Sequence, residues 1–194
     1  MTDYKNIHGK RVKFATSDLT GTESEGQVFY SDTDSKYKVS VASAAWASTS
    51  SMIRSPGTAQ AGVSGTSTAA IAFGGQKNNP YPVITDTEEF NGSGWSSGGA
   101  TPAARFGWVG GIGTATAALG SGGFTAPGSV ATESYEYDGS SWTEGGDIST
   151  GRGNAGGAGT QTAGLAFGGR TGGPSGSSRS TAVEEYDGSS WTEG

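Results

Sequence analysis

Apolar positions in this chain come in short bursts rather than long runs. Three of them read Thr68-Ala-Ala-Ile-Ala-Phe-Gly-Gly75, Thr116-Ala-Ala-Leu-Gly-Ser-Gly-Gly123 and Thr162-Ala-Gly-Leu-Ala-Phe-Gly-Gly169. Each is followed by a variable polar stretch and then by an acidic-aromatic segment. These segments are Glu88-Glu-Phe-Asn-Gly-Ser-Gly-Trp95, Glu133-Ser-Tyr-Glu-Tyr-Asp-Gly-Ser-Ser-Trp142 and Glu184-Glu-Tyr-Asp-Gly-Ser-Ser-Trp191. Short apolar runs bounded by turn residues predict strands. An Asn-Gly or Asp-Gly step between two of them predicts a tight hairpin with positive φ at both central residues.

The bursts are periodic. Trp46, Trp95, Trp142 and Trp191 stand at intervals of 49, 47 and 49, and an arginine follows the first three, at Arg54, Arg105 and Arg152. Such a period is the mark of a repeat architecture. Each unit is expected to hold four strands. In the last copy these lie near Arg152–Gly159, Thr162–Gly168 and Ala182–Tyr186, with a fourth starting at Ser190. The predicted organisation is an N-terminal segment, residues 1–45, followed by repeats over about 46–94, 95–141 and 142–190, with another beginning at 191.

The N-terminal segment departs from the pattern. Lys10-Arg-Val-Lys-Phe14 predicts a short strand with basic residues alternating. Gln27-Val-Phe-Tyr30 and Lys36-Tyr-Lys-Val-Ser-Val41 predict a hairpin turning at Asp32 to Asp34, with Val39 and Val41 on one face and Lys36 and Lys38 on the other. It reads either as an outer hairpin beside the first repeat or as an anchoring arm.

Composition changes the picture in three ways. The 36 glycines would suit a low-complexity chain, but they recur at fixed places beside Trp, Tyr, Phe and Val, which favours strands and turns. There is no cysteine, which removes disulfides, thiol nucleophiles and thiolate metal sites. The net charge of −6 argues against a nucleic-acid-binding surface, and no apolar run is long enough to cross a membrane as a helix.

Candidate chemistry is sparse. His8 stands alone, so a histidine metal site or triad lacks partners. The carboxylates Glu88, Glu89, Glu133, Glu136, Glu184 and Glu185 invite comparison with glycoside hydrolases. They recur in phase with the repeat, however, and read as repeat structure paired with Arg54, Arg105 and Arg152. No Gly-Lys-Ser/Thr follows the glycine runs, so a phosphate loop is not supported. No catalytic residue, metal or cofactor is expected. The stretches between the second and third strands do differ from copy to copy. Asn78, Asn79, Tyr81, Arg170 and Arg179 in them are suited to stacking on and hydrogen bonding a sugar, or are tolerated surface insertions.

The glycine pair after an apolar strand, the Tyr-Asp step, the spaced Trp and the upstream Arg together resemble kelch repeats over about residues 46–194. The resemblance implies an all-β fold of four-stranded β-propeller blades, with Phe90, Tyr137, Tyr186 and the four period-setting tryptophans packed between neighbouring sheets. The Gly/Ala-rich first strand, such as Gly153-Asn-Ala-Gly-Gly-Ala-Gly159, departs from that pattern but suits a crowded centre. Closed propellers use about four to eight blades, so three blades are expected to belong to a longer chain or a multi-chain assembly.

The N-terminal segment joined to these repeats is similar to virion fibre proteins of marine bacteriophages that infect cyanobacteria. That resemblance implies a tail fibre of homotrimeric assembly, located in the virion and made in the host cytoplasm. Its N-terminus is then expected to attach to a tail, adaptor or baseplate protein through residues such as Ile7, Lys10, Arg11, Lys13, Phe14, Phe29 and Tyr30. Its repeats are expected to project outward, either toward a host-surface glycan or as a spacer. A cellular kelch-type protein-interaction module is the alternative.

Overall fold

The computed structural model describes residues 13–15, 28–31, 36–39, 50–53, 61–77, 82–126 and 128–194. The structure is all-β, with no helix among the described residues. The chain divides into two compact units, Met1–Ser48 and Thr49–Gly194.

In the first unit, β1 (Lys13–Ala15), β2 (Val28–Ser31) and β3 (Lys36–Val39) form one sheet in that order. β1 runs parallel to β2, and β2 pairs antiparallel with β3 from Val28↔Val39 to Ser31↔Lys36. The hairpin expected from the sequence is therefore present as a strand pair; its turn lies outside the described residues.

The second unit holds three four-stranded antiparallel sheets, each a simple meander. The first sheet comprises β4 (Gly62–Thr66), β5 (Ala69–Phe73), β6 (Thr87–Phe90) and β7 (Trp95–Ser97). The second comprises β8 (Val109–Thr114), β9 (Ala117–Ser121), β10 (Ser134–Tyr137) and β11 (Trp142–Glu144). The third comprises β12 (Gly156–Thr160), β13 (Ala163–Phe167), β14 (Val183–Tyr186) and β15 (Trp191–Glu193). Each tryptophan strand closes a sheet, so repeat boundaries drawn at the tryptophans fall between third and fourth strands. The three sheets do not form a closed ring.

Two local expectations change. The first strand of the third sheet starts at Gly156, not near Arg152, because Arg152 is fully buried and its side chain works as a brace for the sheet's far end. The hairpin turn also differs. Tyr137 pairs directly with Trp142 and Tyr186 with Trp191, leaving four-residue loops. Only the glycine takes positive φ, 92° at Gly139 and 94° at Gly188. The aspartate instead folds its carboxylate over the loop. Asp138 Oδ1 accepts the Ser140 and Ser141 backbone N–H groups at 2.8 Å each, and Asp187 Oδ1 accepts those of Ser189 and Ser190 at 2.9 and 2.8 Å. These bonds, foremost the one from the second serine's backbone, pull both carboxyls down to about 2.

The core lies between sheets. Ile71 and Phe73 of the first sheet meet Trp108, Ala118, Tyr135, Tyr137 and Trp142. Val109, Ile112 and Leu119 of the second meet Ile148, Ala155, Ala166, Tyr186 and Trp191. A lone sheet here has almost nothing to bury, which is the usual energetic situation of a stacked repeat. The ring of Trp142 lies 4.6 Å from Phe73 and 4.9 Å from Tyr137, centroid to centroid. Replacing Trp142 with Ala is expected to cost about 3–5 kcal/mol. The check is urea unfolding followed by circular dichroism, and an unchanged midpoint would refute the packing role.

Candidate functional site

Two arrangements recur in register with the repeat: a seam of polar contacts joining successive sheets, and a set of loops on one edge.

The seam is built by the third and fourth strands. Tyr137 Oη donates to Glu89 Oε1 of the preceding sheet, and Tyr186 Oη donates to Glu136 Oε1 at 2.7 Å. Trp142 Nε1 donates to Thr87 Oγ1 and Trp191 Nε1 to Ser134 Oγ, each at 3.0 Å. The glycine pair that follows the tryptophan strand of the first and second sheets makes room for this. A Cβ on Gly98 would stand 2.6 Å from Tyr137 Oη, and one on Gly145 would stand 2.7 Å from Tyr186 Oη. Inner strands add Ser64 Oγ donating to Ile112 O at 2.7 Å and Gly110 N donating to Ala155 O at 3.3 Å. Burial, reinforced by the glutamate acceptor, pushes the Tyr137 and Tyr186 hydroxyls up to about 12.

The buried arginines brace each sheet from within. Arg152 Nη1 donates to Ala182 O at 3.0 Å, Nε to Thr150 O at 3.2 Å, and Nη2 pairs with Glu184, both side chains being fully buried. Glu184 Oε2 also accepts the Ser149 N–H at 2.6 Å. Arg105 Nη1 donates to Gly122 O and Glu133 O at 3.1 and 3.0 Å, and Nη2 pairs with Glu133 at 2.8 Å. Its guanidinium also lies over Trp108 and Tyr135. Burial works against the Glu133 charge, yet hydrogen bonds to backbone amides and the Arg105 guanidinium hold its carboxyl below the usual range. The arginine–glutamate pairing expected from the repeat is thus present for Arg105 and Arg152; Arg54 lies outside the described residues.

The loops between second and third strands share one framework. The glycine pair before each loop takes positive φ at both residues, 61° and 105° at Gly74 and Gly75 for example, which turns the chain out of the sheet. Gly75 N then donates to Arg105 O at 2.7 Å and Gly123 N to Arg152 O at 2.8 Å, tying each loop base to the next sheet's arginine segment. Antiparallel bridges close the loops at Gln76↔Val83, Phe124↔Val130 and Arg170↔Arg179. The second and third loops touch, since a Cβ on Gly173 would stand 2.5 Å from Gly128 O.

Of the residues expected to recognise a ligand, Arg170 and Arg179 are turned onto their own loop. Arg170 Nη1 donates to Pro174 O, and Arg179 Nη1 donates to Gly176 O at 3.1 Å. Asn78, Asn79 and Tyr81 lie outside the described residues, as do Trp46, Ile7, Lys10 and Arg11. Lys13 and Phe14 lie in β1 beside Phe29 and Tyr30 in β2, paired Lys13↔Phe29 and Phe14↔Tyr30. Trp95 is half-buried beside Phe90, with centroids 5.2 Å apart.

Sequence reasoning missed three contributors. Trp108, off the period, packs edge-on to Phe73 and donates to Arg105 O at 3.0 Å. Gln161 Nε2 reaches back to Tyr137 O and Ala118 O at 2.7 and 3.1 Å. The tyrosine–glutamate pairs were visible only as similar spacings close to the repeat length, 48 residues for Glu89–Tyr137 and 50 for Glu136–Tyr186.

Among the described residues no three His, Cys, Asp or Glu side chains are grouped as metal ligands. A small cavity of about 20 Å³, lined by Met52, Ala61, Ala72, Gly74, Ile84, Asp86 and Glu88, has room for about one water. No known family model matches the chain, and no curated protein matches it.

Two tests follow from the geometry. Arg152→Met leaves Glu184 fully buried without its guanidinium partner, and is expected to cost about 3–5 kcal/mol. Arg105→Met is expected to cost less, because Glu133 is 40% exposed and water can solvate its carboxylate. Equal losses in urea unfolding would contradict this. The second test concerns alkali. A hydroxyl raised from 10 to about 12 in the folded state stabilises fully below pH 10. That contribution is lost as pH climbs from 10 through 12. Wild-type protein is therefore expected to lose unfolding midpoint over this window more steeply than Tyr137→Phe/Tyr186→Phe, and parallel pH profiles would refute it.

Proposed function

We propose that this protein is a non-enzymatic bacteriophage virion component: a tail fibre whose N-terminal segment attaches to the particle and whose kelch-like propeller blades project outward, as a homotrimer, toward a host-surface glycan. The observation that carries the recognition part is the loop edge. Three loops of unlike sequence rise from equivalent bridges on one repeated framework, and variable loops on a rigid scaffold are where binding commonly resides. Four-stranded meanders stacked through Trp and Tyr support the blade reading. The virion part rests on the likeness of the N-terminal segment and repeats, taken together, to marine phage fibres.

A spacer role is the second reading. It is favoured by Arg170 and Arg179, whose guanidinium groups are engaged by carbonyls of their own loop. A cellular kelch-type module that binds a protein through the same loops is the alternative from another class.

The deciding experiment is mass spectrometry of purified virions followed by cryo-electron microscopy of the tail. Peptides of this chain in particles, with density for residues 1–45 against a tail or adaptor ring, are the expected result. Absence from particles would sink the virion reading and leave the interaction module. Glycan-array binding by the full chain separates recognition from the spacer role.

A further inference from the structure

The two outer faces of the sheet stack are not equivalent. At both internal interfaces, the forward face of one sheet receives the backward face of the next. The forward face presents a glutamate to the next tyrosine, and a glycine after the tryptophan strand leaves space for that hydroxyl: Glu89 with Gly98, then Glu136 with Gly145. The third sheet repeats this pair as Glu185 and Gly194. Glu185 is exposed, and a Cβ on Gly194 would meet nothing closer than 3.9 Å. Phe167, at the position where Phe73 is covered by Trp142, is 42% exposed. The receiving half of an internal interface is thus present on a face that nothing in this unit covers.

The backward face of the first sheet lacks the matching half. Phe90 stands where Tyr137 and Tyr186 supply hydroxyls. Val63 stands at the strand position of Gly157, where a Cβ would lie 2.0 Å from Gly110 O of the preceding sheet. A second copy of this chain therefore cannot dock its first sheet on the third in the way the third docks on the second. It would bring a valine into the main chain and no hydroxyl to Glu185.

We infer that the forward face of the third sheet is a docking site for one further four-stranded sheet of the same repeat type, bearing a tyrosine hydroxyl for Glu185 and a glycine on its inner strand, and that the first sheet is a cap. Val183 narrows the occupant's chemistry. It replaces Thr87 and Ser134, the acceptors of the indole N–H. The ring laid over Phe167 and Val183 is accordingly one that brings no N–H to this point, such as phenylalanine. This inference continues an interface seen twice within the chain, and it stands apart from where the protein works.

The test extends the full chain at its C-terminus with a second copy of residues 145–194, carrying Trp191→Phe in the added copy only. The extended chain is expected to melt at least about 4 °C above the 194-residue chain. Glu185→Ala should remove much of that gain while leaving the 194-residue chain unchanged, because Glu185 is exposed there. No gain, or an equal effect of Glu185→Ala on both lengths, would overturn the inference. So would self-association of the 194-residue chain that Phe167→Asp abolishes, since the occupant would then be a second copy. A variant in trans guards against a misfolded extension. Val63→Gly/Phe90→Tyr/Trp95→Phe gives the first sheet the missing half, and should make the chain associate head to tail in a way that Glu185→Ala reverses. A triple variant that is folded and monomeric counts against the docking site.

Discussion

Everything in the repeat unit depends on one contact: the Tyr–Trp pair of one sheet laid against the strand face of the sheet before it. Within a single meander the inner strand is rich in glycine and small residues, with Val109 and Ile112 the apolar exceptions in the second sheet, so a sheet alone buries little apolar surface. The interface supplies it, with Tyr186 and Trp191 at one junction and Tyr137 and Trp142 at the other. The hydroxyl and indole hydrogen bonds add direction to a burial that is itself without direction. Stability of the unit is in this sense a sum over junctions rather than a property of sheets.

The buried arginines solve a different problem. Where the chain leaves the second strand through two glycines and returns to the third, several carbonyls point into the interior without strand partners. A guanidinium, with five donors in one plane, meets several of them at once. The third sheet balances that charge with a buried glutamate, whereas the second uses a half-exposed glutamate and two aromatic faces. Arg105 Nε is left without an acceptor, where Arg152 Nε has Thr150 O. Two electrostatic solutions thus serve one backbone.

Much of this was legible in the sequence because the features are periodic. The tryptophan spacing, the glycine pairs and the Asp-Gly steps gave the number of sheets and strands. The arginine–glutamate phase gave the ion pairs. What was not legible was local and directional. The alternation of Gly153 to Gly159 does not say where a strand begins, since glycine and alanine mark no face. The first strand of the third sheet accordingly starts several residues after Arg152. Asp-Gly suggested a two-residue turn, but the serines after it offer the aspartate backbone N–H groups, and a four-residue loop results. Trp108 was missed because it breaks the period, and the period was the signal. Of the expected ligand-binding residues, Arg170 and Arg179 looked free because sequence does not show that a loop's own carbonyls compete for them.

The close approach of the inner strands has a geometric consequence. Gly157 lies so near Gly110 that main chain, not side chain, sets the separation of the second and third sheets. Side-chain volume elsewhere can then vary without changing the pitch between those sheets. The bases of the second and third loops, hung on glycine pairs beside these sheets, inherit the same fixed pitch. The edge behaves as a ruler with interchangeable marks: the sequence of any one loop can drift while the distance to its neighbour stays constant.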